Sequence, residues 1–251
     1  NVVAVTNELG VVIGTTNRTQ TLWRDDDAVW RSLPELGLES SFMAFGELYR
    51  GPTGIEEDEG LRHIFEPYAN YTFNPEPNVL SNELWQFDSV DTLGERNEIQ
   101  PGIRNYLQTK RWGQPHNLIY ADVFTTLRMD PAEDEEALGD IGFKTEWRVW
   151  SWFSWNFDGA YDTEDDSLRN FSTQVEFQDE EIYTLAFDYR YDRDGRDVVA
   201  GDLILFPEAR WAGRLYGRMD VEESTMEEYS TYLIHRTRCL GIGLGVRVRP
   251  E

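Results

Sequence analysis

The chain has 251 residues, 47 acidic against 23 basic, for a formal charge of −24. Neutralising phosphates takes a basic surface, so nucleic acid is excluded as a partner, and an anionic membrane surface is disfavoured. Hydrophobic residues at 40% and aromatics at 14% supply a core or a lipid-facing band, which excludes a disordered chain.

No run of 18 apolar residues occurs, so any membrane crossing must be made by strands. The chain opens NVVAVTNELG, without initiator Met or signal peptide, and is expected to be a mature form or a fragment. Only Lys110 and Lys144 are lysines, and such an acid-rich, lysine-poor surface suits a saline habitat, where salt screens the self-repulsion.

Period-two alternation predicts strands over residues 40–50, 61–73, 97–110 and 117–129. Residues 141–161 carry the clearest signal. Ile141, Phe143, Trp147, Val149, Phe153, Trp155, Phe157 and Tyr161 take odd positions, with Lys144, Glu146, Arg148, Asn156 and Asp158 between them. One face is apolar and the other polar. Because parity survives throughout, the stretch is one very long strand or a hairpin with an odd-length turn near residues 151–154, and length favours the hairpin.

Further strands are predicted over 170–177, 181–192, 198–206, 210–220, 227–236 and 239–249. Acidic or glycine-containing separators divide them: GPTGIEEDEG, MDPAEDEEALGD, DTEDD and DRDGRD. The count is about a dozen antiparallel strands, at roughly twenty residues per strand and connection. No composition break divides the chain, which is read as one all-β domain over 1–251 or as the C-terminal portion of a larger barrel.

Alternation alone also fits a soluble sandwich. The ends of the strands favour a transmembrane β-barrel, because Trp and Tyr belong at the two water interfaces of a bilayer. Trp147, Trp150, Trp152 and Trp155 flank the predicted turn, where two strands would leave the membrane. The alternation of short turns with acidic loops fits the same architecture.

Enzymatic signals are weak, and no enzyme is predicted. His63, His116 and His235 are far apart, neither HExxH nor GxSxG occurs, and no metal site is assigned. DRDGRD resembles part of a calcium loop but lacks its spacing and closing Glu, so a turn at Asp194-Gly195 explains it better. Glu133, Asp134, Glu135 and Glu136 are read as a solvated loop with at most loosely held divalent cations. No other cofactor is expected.

Arg104, Arg190, Arg210, Arg214 and Arg218 fall on polar parities and are candidates to face a lumen. Ion pairing with nearby Asp and Glu is the competing reading. At the C-terminus, Gly241, Gly243 and Gly245 alternate with Leu240, Ile242, Leu244, Val246 and Val248. Such a strand either packs its glycines under bulky neighbours or parts easily from the next strand.

Three stretches resemble the C-terminal barrel of the lipopolysaccharide-assembly family, the organic solvent tolerance proteins. RHIFEPYANYTFNPEP carries Glu66-Pro67 in an aromatic strand and is followed by Phe87-Asp88-Ser89; NEIQPGIRNYLQTKR is similar to the Asn-led strand that comes next. Arg210-Trp211, Gly217-Arg218-Met219-Asp220 and the run to Cys239 resemble the family's ending. The likeness covers roughly Leu61 to Arg249. Two departures stand out: the loop after Ser89 is brief, and the family's double-cysteine ending is reduced to Cys239-Leu240.

The resemblance implies a protein of the bacterial outer membrane that transports lipopolysaccharide. Its partners would be a plug lipoprotein, a periplasmic bridge protein and outer-membrane lipids. It also implies lateral exit beside the last strand, at Leu240, Gly241, Gly243, Leu244 and Gly245. Cys239 matches a position that the family oxidises to cysteines of its periplasmic N-terminal domain, which is not visible in this chain. Two other readings stand beside it: an outer-membrane pore of different purpose, and a secreted carbohydrate-active β-sandwich that stacks sugars on exposed tryptophans.

Overall fold

A computed structural model describes residues 2–6, 12–17, 32, 34–56, 58–79, 94–131, 136–179, 181–237 and 240–250. Among them sixteen strands and no helix occur. They are β1 (Val2–Thr6), β2 (Val12–Asn17), β3 (Leu36–Ser41), β4 (Ala44–Pro52), β5 (Asp58–Asn74), β6 (Arg96–Arg111), β7 (Gln114–Phe124) and β8 (Leu127–Arg128), then β9 (Ile141–Trp150), β10 (Phe153–Asp162), β11 (Ser167–Asp179) and β12 (Tyr183–Asp192), and finally β13 (Val198–Leu205), β14 (Trp211–Asp220), β15 (Thr225–Arg236) and β16 (Gly241–Val248).

β1 and β2 form a separate antiparallel pair; β3 to β16 make one 14-stranded sheet. Its order runs β16 down to β9, then β7, β6, β5 and β3, with β4 also on β5 and the short β8 on β6. Chain neighbours are almost always sheet neighbours, as short hairpin connections require. The chain divides into two compact units, Asn1–Leu38 with Tyr71–Glu98, and Glu39–Asn70 with Ile99–Glu251. In the first, the Ser32 N–H donates to Asn78 Oδ1 (2.7 Å) and the Tyr71 hydroxyl to Asn97 Oδ1 (3.2 Å).

The strands are long: β9, β10, β12 and β14 have 10 residues each, and β5 and β6 have 17 and 16. Soluble strands average about 5–6 residues, whereas crossing a bilayer at a tilt takes roughly 9–11. Among the described residues no ladder joins β16 to β3 or β4, so the sheet has two free edges.

Burial is inverted relative to a soluble protein. Among the described residues six hydrophobics are buried, Ile64, Leu118 and Ala212 among them, whereas 33 large hydrophobics are exposed, Leu244 at 77%. The buried polar set is larger than the buried apolar one and includes Asp58, Arg111, Asp122, Asp162 and Asp220.

Register keeps the two faces separate across many strands. Ile119, Trp147, Trp155, Val175 and Phe187 pair in turn across β7, β9, β10, β11 and β12, an unbroken apolar row. On the opposite face runs Arg104, Asp122, Lys144, Asp158, Ser172, Arg190, a row whose charges alternate in sign from β6 to β10. Opposite charges directly across a ladder stabilise it, and like charges would not.

The hairpin of residues 141–162 preserves parity by an unexpected device. Its turn is two residues, Ser151 and Trp152, which alone would pair odd positions with even ones. A bulge between Phe153 and Trp155 adds the missing residue, so Phe153 pairs Trp150 but Trp155 pairs Trp147.

Close approach explains one glycine here. A Cβ on Gly102 would sit 2.4 Å from Cζ of Tyr68 on β5. Gly102→Ala should destabilise the fold by about 1–3 kcal/mol through overpacking. A lower urea midpoint with an unchanged slope would establish this; an unchanged midpoint would mean that Tyr68 swings away freely.

Candidate functional site

On the polar face of β5, β6 and β7, the Arg104 guanidinium lies 3.9 Å from the centroid of the Tyr68 ring. Its Nη1 donates to Glu66 Oε1 (3.3 Å) and its Nε stands 3.6 Å from Asp122 Oδ2. Asp122 also accepts from the hydroxyls of Tyr68 (3.1 Å) and Tyr120 (3.3 Å). Asp122 and Tyr68 are buried, so these bonds satisfy groups that water cannot reach. The alternation of Glu66, Tyr68, Arg104, Tyr120 and Asp122 on polar parities places them on one face. What they bond to depends on strand order and register.

Four of the five arginines singled out from sequence lie on this face, and each is ion-paired. Besides Arg104, Arg190 meets Asp188 (3.0 Å), Arg214 forks onto Asp202 (2.6 Å) and Arg218 meets Glu227 (2.7 Å). Arg210 instead stands in the turn before β14, where its carbonyl accepts from the Arg236 N–H (2.8 Å).

A second polar cluster, which sequence reasoning missed, closes one end of the sheet. Arg111 is 5% exposed at its side chain and donates to Asp58 through Nε (2.7 Å) and Nη2 (2.9 Å). Its Nη1 meets Glu56 (3.0 Å) and its Nη2 also reaches the Val149 carbonyl (2.9 Å). Glu56 in turn accepts from the Ser151 N–H (2.5 Å). β5 and β9 are three strand spacings apart, about 14 Å on a flat sheet. Bonds from the β4–β5 turn to the β9–β10 turn therefore require the sheet to curl toward its polar face.

Connections of two to five residues join strands at this same end, after β4, β6, β9, β11, β13 and β15. Trp112 and Gly113 form a two-residue hairpin turn with φ of 50° and 77°. Exposed Trp112, Trp150, Trp152, Phe206 and Trp211 ring the end. Trp150 and Trp152 stack at 5.6 Å, while Trp147 and Trp155 face each other at 5.4 Å further along the apolar face. Trp155 Nε1 donates to Thr173 Oγ1 (2.8 Å).

At the opposite end the connections are acidic: 125–140, 163–166, 193–197 and 221–224. Tyr161 and Tyr189, on the apolar parity, turn their hydroxyls to Asp166 and Asp197 in these loops. Glu133, Asp134 and Glu135 lie outside the described residues; Glu136 is pushed above the ordinary carboxylate value because it shares a hydrogen bond with Glu164. In DRDGRD the Gly195 N–H donates to the Asp192 carbonyl (3.1 Å), a turn.

Where β10 enters its loop, Asp162 is held well below the usual carboxylate range. The Arg193 guanidinium is the main cause (2.8 Å), helped by the Asp165 N–H, Arg169 (3.1 Å) and the Glu164 N–H. A folded-state value below the unfolded one contributes stability above the ordinary carboxylate pKa and loses it as pH falls through that range. Asp162→Asn should therefore flatten the acid side of the stability profile. An unchanged acid limb in pH-dependent unfolding would show that Asp162 contributes nothing there.

The last strand carries the remaining candidates. Among the described residues β16 pairs with β15 alone, and Leu240, Ile242, Leu244 and Val246 are all exposed. Its glycines face the other way. A Cβ on Gly245 would lie 2.1 Å from Cδ1 of its cross-strand partner Tyr232, so the ring occupies the missing side chain's place. Cys239 and the Phe87-Asp88-Ser89 motif lie outside the described residues.

A family model described as LptD: LPS transport system D matches residues 13–200, 188 of the 251 residues. The matched stretch begins well before Leu61 and stops short of the tail pattern at 210–239. No curated protein matches the chain.

Proposed function

The chain belongs to the LptD family, LPS transport system D, and on that premise we propose that it is a lipid-facing β-barrel, or the part of one, in a bacterial outer membrane. There it would move lipopolysaccharide to the outer leaflet without covalent chemistry. The observation that carries this is the inverted burial: an apolar face open to its surroundings and a polar face that holds the buried charges. Hydrocarbon around the apolar face and water along the polar face satisfy both.

The two ends support an orientation. The connections at 75–95 and 125–140 are much longer than any at the tryptophan-ringed end, and longer loops belong outside in outer-membrane barrels, so the tryptophan-ringed end would face the periplasm. The acids of the loops at 163–166, 193–197 and 221–224 would then project outward, away from a passing anionic lipid, while those of the polar face are paired with arginines. Trp and Tyr near opposite ends match the two interfacial belts. Closure would come from pairing of the free edges, with one another or with further strands. Exit beside β16 at Leu240 to Gly245, a plug lipoprotein and a periplasmic bridge protein complete the reading.

A photoreactive residue at position 244 tests it. In cells, light should join it to lipopolysaccharide, and a probe at Ser172 on the polar face serves as a second reporter along the lumen. Absence of lipopolysaccharide adducts at both positions, in a protein that still needs detergent for extraction, would leave a pore of other purpose as the better reading.

A further inference from the structure

The glycines inside this sheet are of two kinds. At Gly102, Gly142, Gly159 and Gly245 an added Cβ would lie 2.8 Å or less from an aromatic ring, so the ring already fills the missing side chain's place. Gly201 and Gly217 differ. They pair directly across β13 and β14. A Cβ at 217 would meet nothing within 4 Å, and one at 201 would touch only the Phe187 ring, at 3.9 Å.

This pair forms the floor of an open depression of about 390 Å³. Phe187 on β12 pairs with Gly201 and Tyr229 on β15 pairs with Gly217, so an aromatic ring bounds each side. The two rings belong to strands three spacings apart, about 14 Å. Leu185, Leu203 and Leu215 form the next row toward the tryptophan-ringed end. Beyond Leu215, Gly213 is a third open position, where a Cβ would meet only the Tyr232 carbonyl at 4.0 Å. Gly213 and Gly217 are four residues apart on β14, about 14 Å along the strand. The relief is therefore low along the line of β14, a track and not a round socket.

The track lies on the apolar face, in register with the row that runs from Ile119 to Phe187. On that face β13 presents Val199, Gly201, Leu203 and Leu205, and β14 carries no charged side chain there either. An occupant with a charge or an unpaired polar group would find no partner for it. An extended hydrocarbon chain fits: it is linear, needs no hydrogen bonds and gains from apolar contact on its floor and both sides.

The depression also adjoins the last strand. Tyr229 and Thr231, both in its lining, pair with Val248 and Val246 of β16. Exposed Leu244 and Val246 continue the apolar surface from the depression to the free edge of the sheet.

We propose that the glycine track on β13 and β14 is a docking site on the apolar face for one acyl chain of the exported lipid, received from the bilayer side after it leaves beside β16. The choice of lipid and the exit at β16 rest on the transport reading; the fit of a linear hydrocarbon does not. The chain would lie along β14 with Phe187 and Tyr229 on either side, and the headgroup and its phosphates would stay beyond the track.

The test reconstitutes the whole chain in phosphatidylethanolamine liposomes with a trace of lipid A that carries a diazirine on one acyl chain. After irradiation, mass spectrometry should find adducts at least fivefold denser on 199–203 and 213–219 than on 143–157, an equally apolar stretch of the same face. Gly201→Leu with Gly217→Leu should remove that excess and leave 143–157 unchanged. The folded band in unheated gels reports that the variant folds, and Gly217→Leu alone, whose side chain enters open space, serves if the double variant does not. A diazirine on the phosphatidylethanolamine acyl chain should show no excess. An excess that survives the substitution in folded protein, or the same excess with the phosphatidylethanolamine probe, would overturn the docking site. Even labelling of both stretches would also overturn it, while leaving the sheet in the bilayer; no labelling of either would remove the sheet from the bilayer as well. Adducts of lipopolysaccharide at position 244 report transport separately, so their presence beside an unlabelled track leaves the transport reading intact without this site.

Discussion

Arg111→Ala should destabilise the protein by about 3–5 kcal/mol, the range for breaking a buried ion pair from one side. Asp58 has a side chain with 0% exposure and would be left charged with its main partner gone. Glu56 and the Val149 carbonyl would lose donors as well. The buried guanidinium ties β5, β6 and β9 together, so its loss should also relax the curl at the tryptophan-ringed end. Urea unfolding in detergent measures the first effect, and proteolysis at the 53–57 turn reports the second.

A companion variant distinguishes attraction from repaired desolvation. Replacing both charges, Arg111→Met with Asp58→Leu, should recover most of the loss, because a well-packed apolar pair avoids the cost of burying either ion. If the single variant costs less than about 1 kcal/mol, a value typical of exposed pairs, the cluster is solvated and does not hold the turns together.

Phe187→Arg has the second large expected effect, and its sign depends on what surrounds the apolar face. Phe187 is 52% exposed and continues the row of Trp147, Trp155 and Val175. In hydrocarbon an arginine there should cost about 2–4 kcal/mol near the midplane. In water, replacing an exposed phenylalanine on a sheet surface should change stability by no more than about 0.5 kcal/mol. Folding into liposomes, followed by the shift of the folded band in unheated gels, measures it.

Ala186→Arg is the matched control. It is the adjacent residue on the opposite face, paired with Glu176 and Asp202, where a cation meets carboxylates. A near-neutral effect at 186 beside a large loss at 187 would place lipid on one face and water on the other. Equal effects at both positions would sink the membrane reading and return the protein to aqueous solvent.

Much of the sheet was legible because a strand's period is local. The odd-numbered apolar residues of 141–161 declare one face without reference to the rest of the chain. The predicted strands at 61–73, 97–110, 181–192 and 210–220 fall within two or three residues of β5, β6, β12 and β14. β1, β2 and β3 escaped notice. VVAVT opens on a run of four apolar residues, Val2 to Val5, and LGLESS is too short for alternation to register. The predicted strand at 40–50 is interrupted at Phe42-Met43, where β3 gives way to β4, and β8 breaks the stretch after β7.

The sites divide along the same line. Which residues share a face, such as Arg104 with Tyr120 and Asp122, follows from parity within each strand. That Arg104 lies over Tyr68, that Tyr232 fills the place above Gly245, and that Trp155 meets Trp147 after a bulge all depend on how far one strand slides past the next. Turn length and bulges set that slide, and a single inserted residue changes every later pairing. Arg111, Asp58, Glu56 and Ser151 span 95 residues of chain and meet only because the sheet curls. Alternation, charge and the family's motifs, being properties of neighbouring residues, were present in the sequence by itself. The clamp, the aromatic–glycine contacts and the open glycine track were decided by register and curvature, which arise only when distant strands pack.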